Sequence, residues 1–501
     1  MNDKFQILAW ILLCCATIYP DTYNLIDTSS CKIWVNCVFT LSMLGLIYCV
    51  FSLFKTISLK FELFSRIFVF SVFALLIYSV VLYVGGITRH FTGGFDNSAG
   101  LALCLALAFS VIPDMKLDGK KWLVWALGIV FVLGLLFVKS RTGIVCVLFQ
   151  LLMQKMGGLR RKWKWACLLL LMVVPILWYV KSASSLGRLF ILLMSIQMIS
   201  CHPFLGWGTG GFAAHYMDFQ SLYLKNHPDS IFAILAGNTH HPLNEFVAIA
   251  VGYGVPALLL IVLLLLVIMK INFQRGNMNV VRMLSCIIIF SLFSYPLRYP
   301  ITFLCLLIIV YESFRHDACT HRCAPYIIIG VASVFFMVKT HAKHKLYKQW
   351  SIVAIESCDV VRNSDLRKYQ MLAKHEELAD NPQFMYNYSL TLYDKGEYVL
   401  AQNEVERCLA SYSDYDLELL AGDIYCALEK DAVALSHYKK AHDMCPAYIM
   451  PFYSMYKMYE LRGKQQEMIT LRRNMEIKRL KVKSEEVLRL LKDMKVNRKD
   501  V

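Results

Sequence analysis

The sequence predicts an all-α fold, in which a polytopic helical membrane domain of about 11 to 12 transmembrane helices precedes an α-solenoid. Hydrophobic residues make up 57% of the 501 residues. Apolar stretches close to the ~20 residues that a helix needs to cross a bilayer recur up to residue 340. After Lys339 the composition changes, because residues 345–501 are charged and contain no such stretch. The predicted domains are therefore 1–340 in the membrane and 345–501 outside it.

About eleven apolar segments predict the transmembrane helices. In lipid each backbone polar group must be satisfied internally, and a helix achieves this within one segment. The segments lie near residues 5–20, 33–54, 62–86, 97–113, 122–138, 142–156, 165–180, 243–271, 281–296, 300–314 and 325–339.

Basic residues orient these predicted helices in the membrane. The net charge is +16, and lysine and arginine are concentrated in alternate connections, near 55–60, 116–121, 155–164, 270–282 and 315–322. The positive-inside rule makes these connections cytoplasmic, where they face anionic lipids. No motif indicates binding of nucleic acid. The other connections, including a long loop over 181–240, are expected on the outer face, as is the C-terminal domain if the helix count is odd.

The C-terminal domain contains a weak repeat of about 34 residues. "LTLYDKGEYVLAQNEVERCL" is echoed by "GDIYCALEKDAVALSHYKKA" and by "YKMYELRGKQQEMITLRRNM". Gly396 and Gly463 stand 67 residues apart, which is two repeats, and Glu429 or Lys430 fills the middle position. Over residues 375–475 the pattern resembles tetratricopeptide repeats, whose helix pairs stack around a shared core and form a groove. The resemblance implies a binding groove, which could take a protein or glycan-assembly partner; a helical domain of another kind is the alternative.

Most of the 17 cysteines lie within apolar segments, where cysteine behaves as a small apolar residue. The segment "RHDACTHRCAP" is different, and it contains His316, Cys319, His321 and Cys323. Their spacing is not that of a standard zinc site. We therefore interpret the segment as a basic connecting loop, and we expect neither a metal nor a cofactor.

Polar residues collect in the outward-facing segments. They are Ser140 and Arg141 at the start of the sixth apolar segment, Arg188, Gly208 and Gly210 within 181–240, and His240, His241 and Asn244 before the eighth, with Arg89, His90 and Arg298 in other outward turns. Taken alone, an arginine at a helix end often extends to the lipid headgroups, and a glycine cluster is often a hinge. Their occurrence together on one face indicates a functional site near the membrane.

Four of these segments resemble motifs of the O-antigen ligase and O-antigen polymerase superfamily, which includes bacterial O-oligosaccharyltransferases. They are "TGGFDNSAGLALCLALA", "SRTG", "GRLFILLMSIQMISCHPFLGWGTGGF" and "HHPLNEFVAIAVGYGVPAL". They occur in the order of the family, across residues 85–270. In the family, an arginine begins the helix that leads to the glycine-rich part of the third motif.

The resemblance implies transfer of a glycan from undecaprenyl diphosphate to an acceptor hydroxyl at the periplasmic face of the bacterial inner membrane. Arg141 and Arg188 would contact the diphosphate, and His241 or His240 would be the base. Asn244, Ser140, Gly208 and Gly210 would support them. The acceptor would be lipid A-core in a ligase, which we favour, a growing glycan in a polymerase, or a protein in an oligosaccharyltransferase.

The chain departs from the family pattern at two positions. Leu243 stands where a histidine is common, and Gly252 stands where a glutamate is common. His241 matches the first histidine of the motif and His240 is its neighbour, so the residues leave open which one is the base. The alternatives outside this family are a transporter of lipid-linked glycan and a non-catalytic membrane scaffold.

Overall fold

The computed structural model describes residues 61–86, 88, 91–93, 95, 97–115, 121–155, 182–314, 324–357, 361–478, 480–481 and 484–496. Throughout these ranges all regular secondary structure is helical, which confirms the all-α prediction. The predicted transmembrane helices near 5–20, 33–54 and 165–180 lie outside the described residues, as do Arg89, His90 and the cluster from His316 to Cys323.

The helices up to residue 356 include all of the predicted membrane segments that are described. They are α1 (Phe61–Val84), α2 (Ser98–Val111), α3 (Lys121–Val138), α4 (Arg141–Lys155), α5 (Ser182–Cys201), α6 (Gly211–Asn226), α7 (Glu245–Gln274), α8 (Met278–Phe293), α9 (Pro300–Phe314) and α10 (Ala324–Glu356). Short 3₁₀ turns follow α2, at Ile112–Asp114, and α8, at Pro296–Arg298.

The remaining helices are shorter and amphipathic. They are α11 (Asn363–Leu372), α12 (Glu376–Ala379), α13 (Pro382–Asp394), α14 (Tyr398–Leu409), α15 (Tyr415–Ala427), α16 (Asp431–Met444), α17 (Met450–Leu461), α18 (Gln465–Ile477) and α19 (Glu485–Asp493).

Three helices are long and apolar enough to cross a membrane: α1, the Ser184–Cys201 part of α5, and α7. Five further apolar helices are shorter: Ser98–Val111, Trp122–Val138, Arg141–Met153, Met278–Phe293 and Ile301–Val310. A helix of 14 residues rises only about 21 Å, against a hydrocarbon core of about 30 Å. Within the described residues, the number of full-length spans is therefore lower than predicted, although the shorter segments are helical as expected.

The segment 181–240, predicted as a loop, contains the two helices α5 and α6. The sequence "SASSLGRLFILLMSIQMISC" is apolar over most of its length, and α5 is long enough to span a bilayer. The prediction was wrong because the polar residues around Arg188 and His202 outweighed the apolar run between them.

The chain divides into two compact units. The first comprises Met1–Tyr179, Leu243–Phe246 and Leu260–Ile352, and the second comprises Val180–Pro242, Val247–Leu259 and Val353–Val501. Helix α2 is at the centre of the first unit, since every residue from Gly100 to Val111 is buried. It packs against α1, α3, α4 and α8. Its small and medium side chains allow this close surrounding by four helices.

A buried arginine stabilises the first unit. Arg282 of α8 is 4% exposed, and its Nε donates to the carbonyl oxygen of Ser110 at 2.9 Å. A second nitrogen donates to Oδ1 of Asn279. The guanidinium therefore satisfies a carbonyl in the last turn of α2, where the helix dipole also favours a positive charge. We assign Arg282 a structural role.

The second unit contains three helical hairpins, α13–α14, α15–α16 and α17–α18, which start at Pro382, Tyr415 and Met450. The turns within the hairpins contain Gly396, Glu429 and Gly463, with φ values of 78°, 61° and 65°. The three predicted turn positions are therefore equivalent, and Glu429 rather than Lys430 fills the middle one. Helix α6 also belongs to this unit and packs against α16.

Candidate functional site

In the first unit, the start of α2 packs against the turn between α8 and α9. Asn97 caps α2, with its Oδ1 accepting from the N–H of Ala99, and its Nδ2 donates to the hydroxyl of Tyr295 at 3.0 Å. The ring of Phe95 meets that of Tyr299 edge-on at 5.4 Å. The guanidinium of Arg298 lies 5.8 Å from the ring centre of Tyr295. Phe95 and Asn97, both from the segment "TGGFDNSAGLALCLALA", thus pack against this turn.

The start of α7 contacts the same turn. Asn244 accepts from the N–H of Phe246 at 3.0 Å and donates to the carbonyl of Leu292 at 3.1 Å. Oε1 of Glu245 accepts from the N–H of Leu297 at 2.8 Å. Asn244 therefore supports the local backbone. Glu245 was missed by sequence reasoning, although an acidic residue that opens an apolar helix is a detectable signal.

Arg141 is the first residue of α4, as the sequence predicts. Oγ of the preceding Ser140 accepts from the N–H of Gly143 at 3.2 Å and so caps the helix. The helix dipole makes this end positive, and a guanidinium there is unfavourable in isolation by about 0.3–1 kcal/mol. The same combination of positive dipole end and arginine is favourable for an anion. The structure thus places Ser140 as the cap of α4 and Arg141 as its first residue.

In the second unit, α7 is interrupted at Gly254, whose φ and ψ are 83° and 170°. Because Val255 follows the interruption and Pro256 has no N–H, the carbonyls of Val251 and Gly252 lose their usual helical donors. The segment after α5 supplies replacements. The N–H of Trp207 donates to Val251 at 2.8 Å, and that of Gly208 donates to Gly252 at 2.9 Å.

The N–H of Val255 completes the same junction by donating to the carbonyl of Pro203 at 2.8 Å. The indole N–H of Trp207 donates to the carbonyl of Met198, in the last turn of α5. These bonds satisfy backbone groups that would be costly to leave open in lipid. The backbone of the segment "HPFLGWG" therefore supplies the hydrogen-bond partners that α7 lacks at its interruption.

Of the two glycines predicted to support the site, Gly208 belongs to this junction and Gly210 directly precedes α6. Gly208 and Gly210 have φ values of 83° and 79°, which favour glycine. The N–H of Gly208 is bonded to Gly252, and that of Gly211 is bonded to the carbonyl of Gly208 at 3.1 Å. A loop that binds phosphate offers its N–H groups to the ligand. Here two of those groups are bonded within the chain, so the structure favours a junction over a phosphate-binding loop.

Arg188 lies in α5, six residues after the first residue of the helix. Its side chain is partly buried. Phe190, two positions later, stacks on Phe232 with ring centres 4.8 Å apart and also contacts Tyr223 of α6 at 5.3 Å. These aromatic contacts fix the orientation of α5 around Arg188. The resemblance has an arginine at the start of this helix, whereas Arg188 lies in the second turn of α5; the helix does lead to the glycine segment.

His240 is held by the turn between α14 and α15. Its Nδ1 lies 3.0 Å from the hydroxyl of Tyr412, and its Nε2 lies 3.5 Å from Oδ2 of Asp414. The side chain of His240 is 41% exposed, whereas that of Asp414 is 10% exposed. Oδ1 of Asp414 also caps α15, by accepting from the N–H groups of Asp416 and Leu417. Tyr412 and Asp414 were not predicted, because they lie more than 170 residues from His240.

The residues before His240 also contact the C-terminal helices. Nδ2 of Asn238 donates to Oδ2 of Asp416 at 3.1 Å. Burial raises the pKa of Asp416, the neighbouring Asp414 adds to the rise, and the bond from Asn238 opposes it. Nζ of Lys481 donates to the carbonyls of Leu235 and Ala236, both at 2.9 Å, and burial lowers the pKa of this amine.

The predicted site residues are divided between the two units. Ser140, Arg141 and Asn244 belong to the first, and Arg188, Gly208, Gly210, His240 and His241 belong to the second. Among the residues that the structure describes, no group of three or more histidine, cysteine, aspartate or glutamate side chains could hold a metal ion. Comparison with protein-family models gave no match, and comparison with curated proteins gave none either.

Proposed function

We propose that this protein transfers a glycan from undecaprenyl diphosphate to an acceptor hydroxyl at the periplasmic face of the bacterial inner membrane. An O-antigen ligase acting on lipid A-core is the form we favour, with polymerase and protein O-oligosaccharyltransferase as variants of the same chemistry. The C-terminal hairpins would form a tetratricopeptide-like solenoid on the same face, with room for a protein partner. The proposal includes no metal and no cofactor.

The observation that carries the proposal is the pairing of two motif segments. "HPFLGWG" and "FVAIAVGYGVP" are about 45 residues apart, and three backbone hydrogen bonds join them at the interruption of α7. The resemblance rests on the sequence and order of short motifs, which do not require any two of them to touch. The direct contact between two of them is therefore independent support for it. The contacts of Asn97 with Tyr295 and of Asn244 with Leu292, at the end of α8, add a second one.

The proposed residues fit the chemistry of such a transfer. The acceptor oxygen would attack the anomeric carbon, its proton would pass to a histidine, and the bond from that carbon to the diphosphate oxygen would break. Arginine offers a permanently charged fork that suits the departing phosphate, as we propose for Arg141 and Arg188. Attack opposite the leaving group would invert the anomeric carbon. A histidine titrates near neutral pH and can accept the proton.

A glycan-profile rescue tests the proposal. The gene is deleted and restored as wild type or with His241→Ala, Arg141→Ala or Arg188→Ala, at equal membrane levels. We expect His241→Ala to lower transfer by about 10²- to 10⁴-fold. Loss of the lipopolysaccharide ladder above an intact core would indicate ligation, a single-repeat band would indicate polymerisation, and loss of glycoprotein would indicate protein transfer. Unchanged surface glycans in the deletion strain would contradict all three.

One observation favours a transporter as the second candidate. Interrupted membrane helices such as α7 are common in transporters, where the freed backbone groups bind the substrate. In this chain the carbonyls of Val251 and Gly252 and the N–H of Val255 are instead bonded to the segment 203–208. A flipping assay in reconstituted vesicles with a fluorescent lipid-linked glycan separates the two functions. A transferase alone would leave the flipping rate at that of empty vesicles.

A further inference from the structure

Both ring nitrogens of His240 face a partner. An ionised carboxylate only accepts hydrogen bonds, so Asp414, whose Oδ2 faces Nε2 at 3.5 Å, favours the tautomer with its proton on Nε2. Nδ1 then accepts from the hydroxyl of Tyr412. In this tautomer neither nitrogen directs a lone pair at a third group. His240 is therefore poorly placed to receive a proton from an acceptor, and well placed to hold the chain in position.

The attachment continues along the residues that precede His240. The carbonyls of Leu235 and Ala236 accept from Lys481, and Asn238 donates to Asp416. Nε2 of Gln220, in α6, donates to the carbonyl of Gly237 at 3.1 Å and to the carbonyl of Met444 at 2.7 Å. The segment that leads to the histidine pair is thus bonded to C-terminal residues at Leu235, Ala236, Asn238 and His240, and to α6 at Gly237.

We propose that Tyr412 and Asp414 are positioning residues, which anchor His240 and thereby fix the adjacent His241 as the base. The assignment of His241 rests on the proposed function, whereas the anchoring of His240 does not. It follows that the C-terminal domain contributes positioning residues to the site, in addition to any partner that it binds.

Two conservative substitutions isolate the anchor. Asp414→Asn removes the charge that faces Nε2, but its side-chain oxygen can still cap α15, since asparagine and aspartate are similar caps. Tyr412→Phe removes the hydroxyl and keeps the ring, whose centre lies 6.3 Å from that of His240. The matched control is Asn381→Ala, which removes the cap of α13 formed with the N–H groups of Gln383 and Phe384.

The first measurement is amide hydrogen exchange on the full-length protein in detergent. In the double variant Tyr412→Phe, Asp414→Asn, we expect exchange over residues 235–242 to accelerate about tenfold or more, because the segment loses its local protection. Asn381→Ala should leave exchange in that segment unchanged. An unchanged rate in the double variant would overturn the anchoring.

The second measurement is the transfer rate on a lipid-diphosphate donor. We expect the double variant to lower kcat with little change in the KM for the donor, since binding of the diphosphate does not involve the anchor. Glutamine can both donate and accept, so His240→Gln should keep transfer within about tenfold of wild type, whereas His241→Gln should lower it at least about 100-fold. Equal loss in both variants would overturn the assignment of His241. Accelerated exchange in the double variant, with no transfer by the wild type, would support the anchor and reject the proposed function.

Discussion

Replacing Arg188 by alanine is expected to lower the rate of glycan transfer by about 10²- to 10³-fold without loss of the folded protein. In the proposed reaction negative charge grows on the departing diphosphate, and a fixed guanidinium stabilises that charge. Arg188 lies in a helix that is apolar enough to span a bilayer, and its side chain is partly buried. The attraction between a guanidinium and a phosphate is stronger in such surroundings, because little water screens the two charges.

A lysine at the same position distinguishes charge from geometry. Arg188→Lys keeps the positive charge and loses the planar fork, so we expect at most about a tenth of the wild-type rate to return. Arg489→Ala is the matched control, because Arg489 is exposed on α19. The rate should be measured with purified protein in detergent at equal concentration of folded chain. A wild-type rate for Arg188→Ala would remove this residue from the diphosphate contact.

The features that could be predicted from the sequence are local ones. The start of α4 at Arg141 follows from Ser140, which caps a helix whose first N–H groups lie within three residues. The turns of the helical hairpins follow from Gly396 and Gly463, and their spacing placed the middle turn at Glu429 or Lys430, of which the structure selects Glu429. In each case the residues that determine the structure are near one another in the chain, so a pattern of residue types was sufficient.

The features that could not be predicted depend on distant residues. Pro256 signals an interruption in α7, but nothing near it indicates that Trp207 and Gly208 supply the missing donors. The partners of His240 are 172 and 174 positions away, in a domain predicted to act separately. Helix length was a third difficulty: an apolar run predicts a span, whereas a cap or a turn residue ends the helix earlier. Tertiary contacts decide the first two.

Replacing Gly254 by alanine is expected to lower the free energy of unfolding by more than about 3 kcal/mol. The backbone at Gly254 has a φ of 83° and a ψ of 170°, a region that is almost restricted to glycine. In addition, a Cβ atom there would lie 2.1 Å from the carbonyl oxygen of Phe204. Backbone must move to relieve that overlap, and the bonds from Trp207, Gly208 and Val255 would be strained or broken.

Gly276→Ala is the matched control for Gly254→Ala. Gly276 has a φ of 73°, and a Cβ atom there would meet nothing within 4 Å, so this variant measures the backbone cost alone, about 1–2 kcal/mol. Thermal unfolding in detergent should therefore show a much larger loss for Gly254→Ala, with faster exchange at the amides of Trp207, Gly208 and Val255. Equal losses of stability in the two variants would mean that the backbone around Phe204 moves at little cost and that the three hydrogen bonds at the interruption of α7 contribute little to stability. A larger loss for Gly254→Ala, together with faster exchange at those three amides, would mean that the pairing of the two motif segments holds this part of the protein together, whichever reaction the protein catalyses.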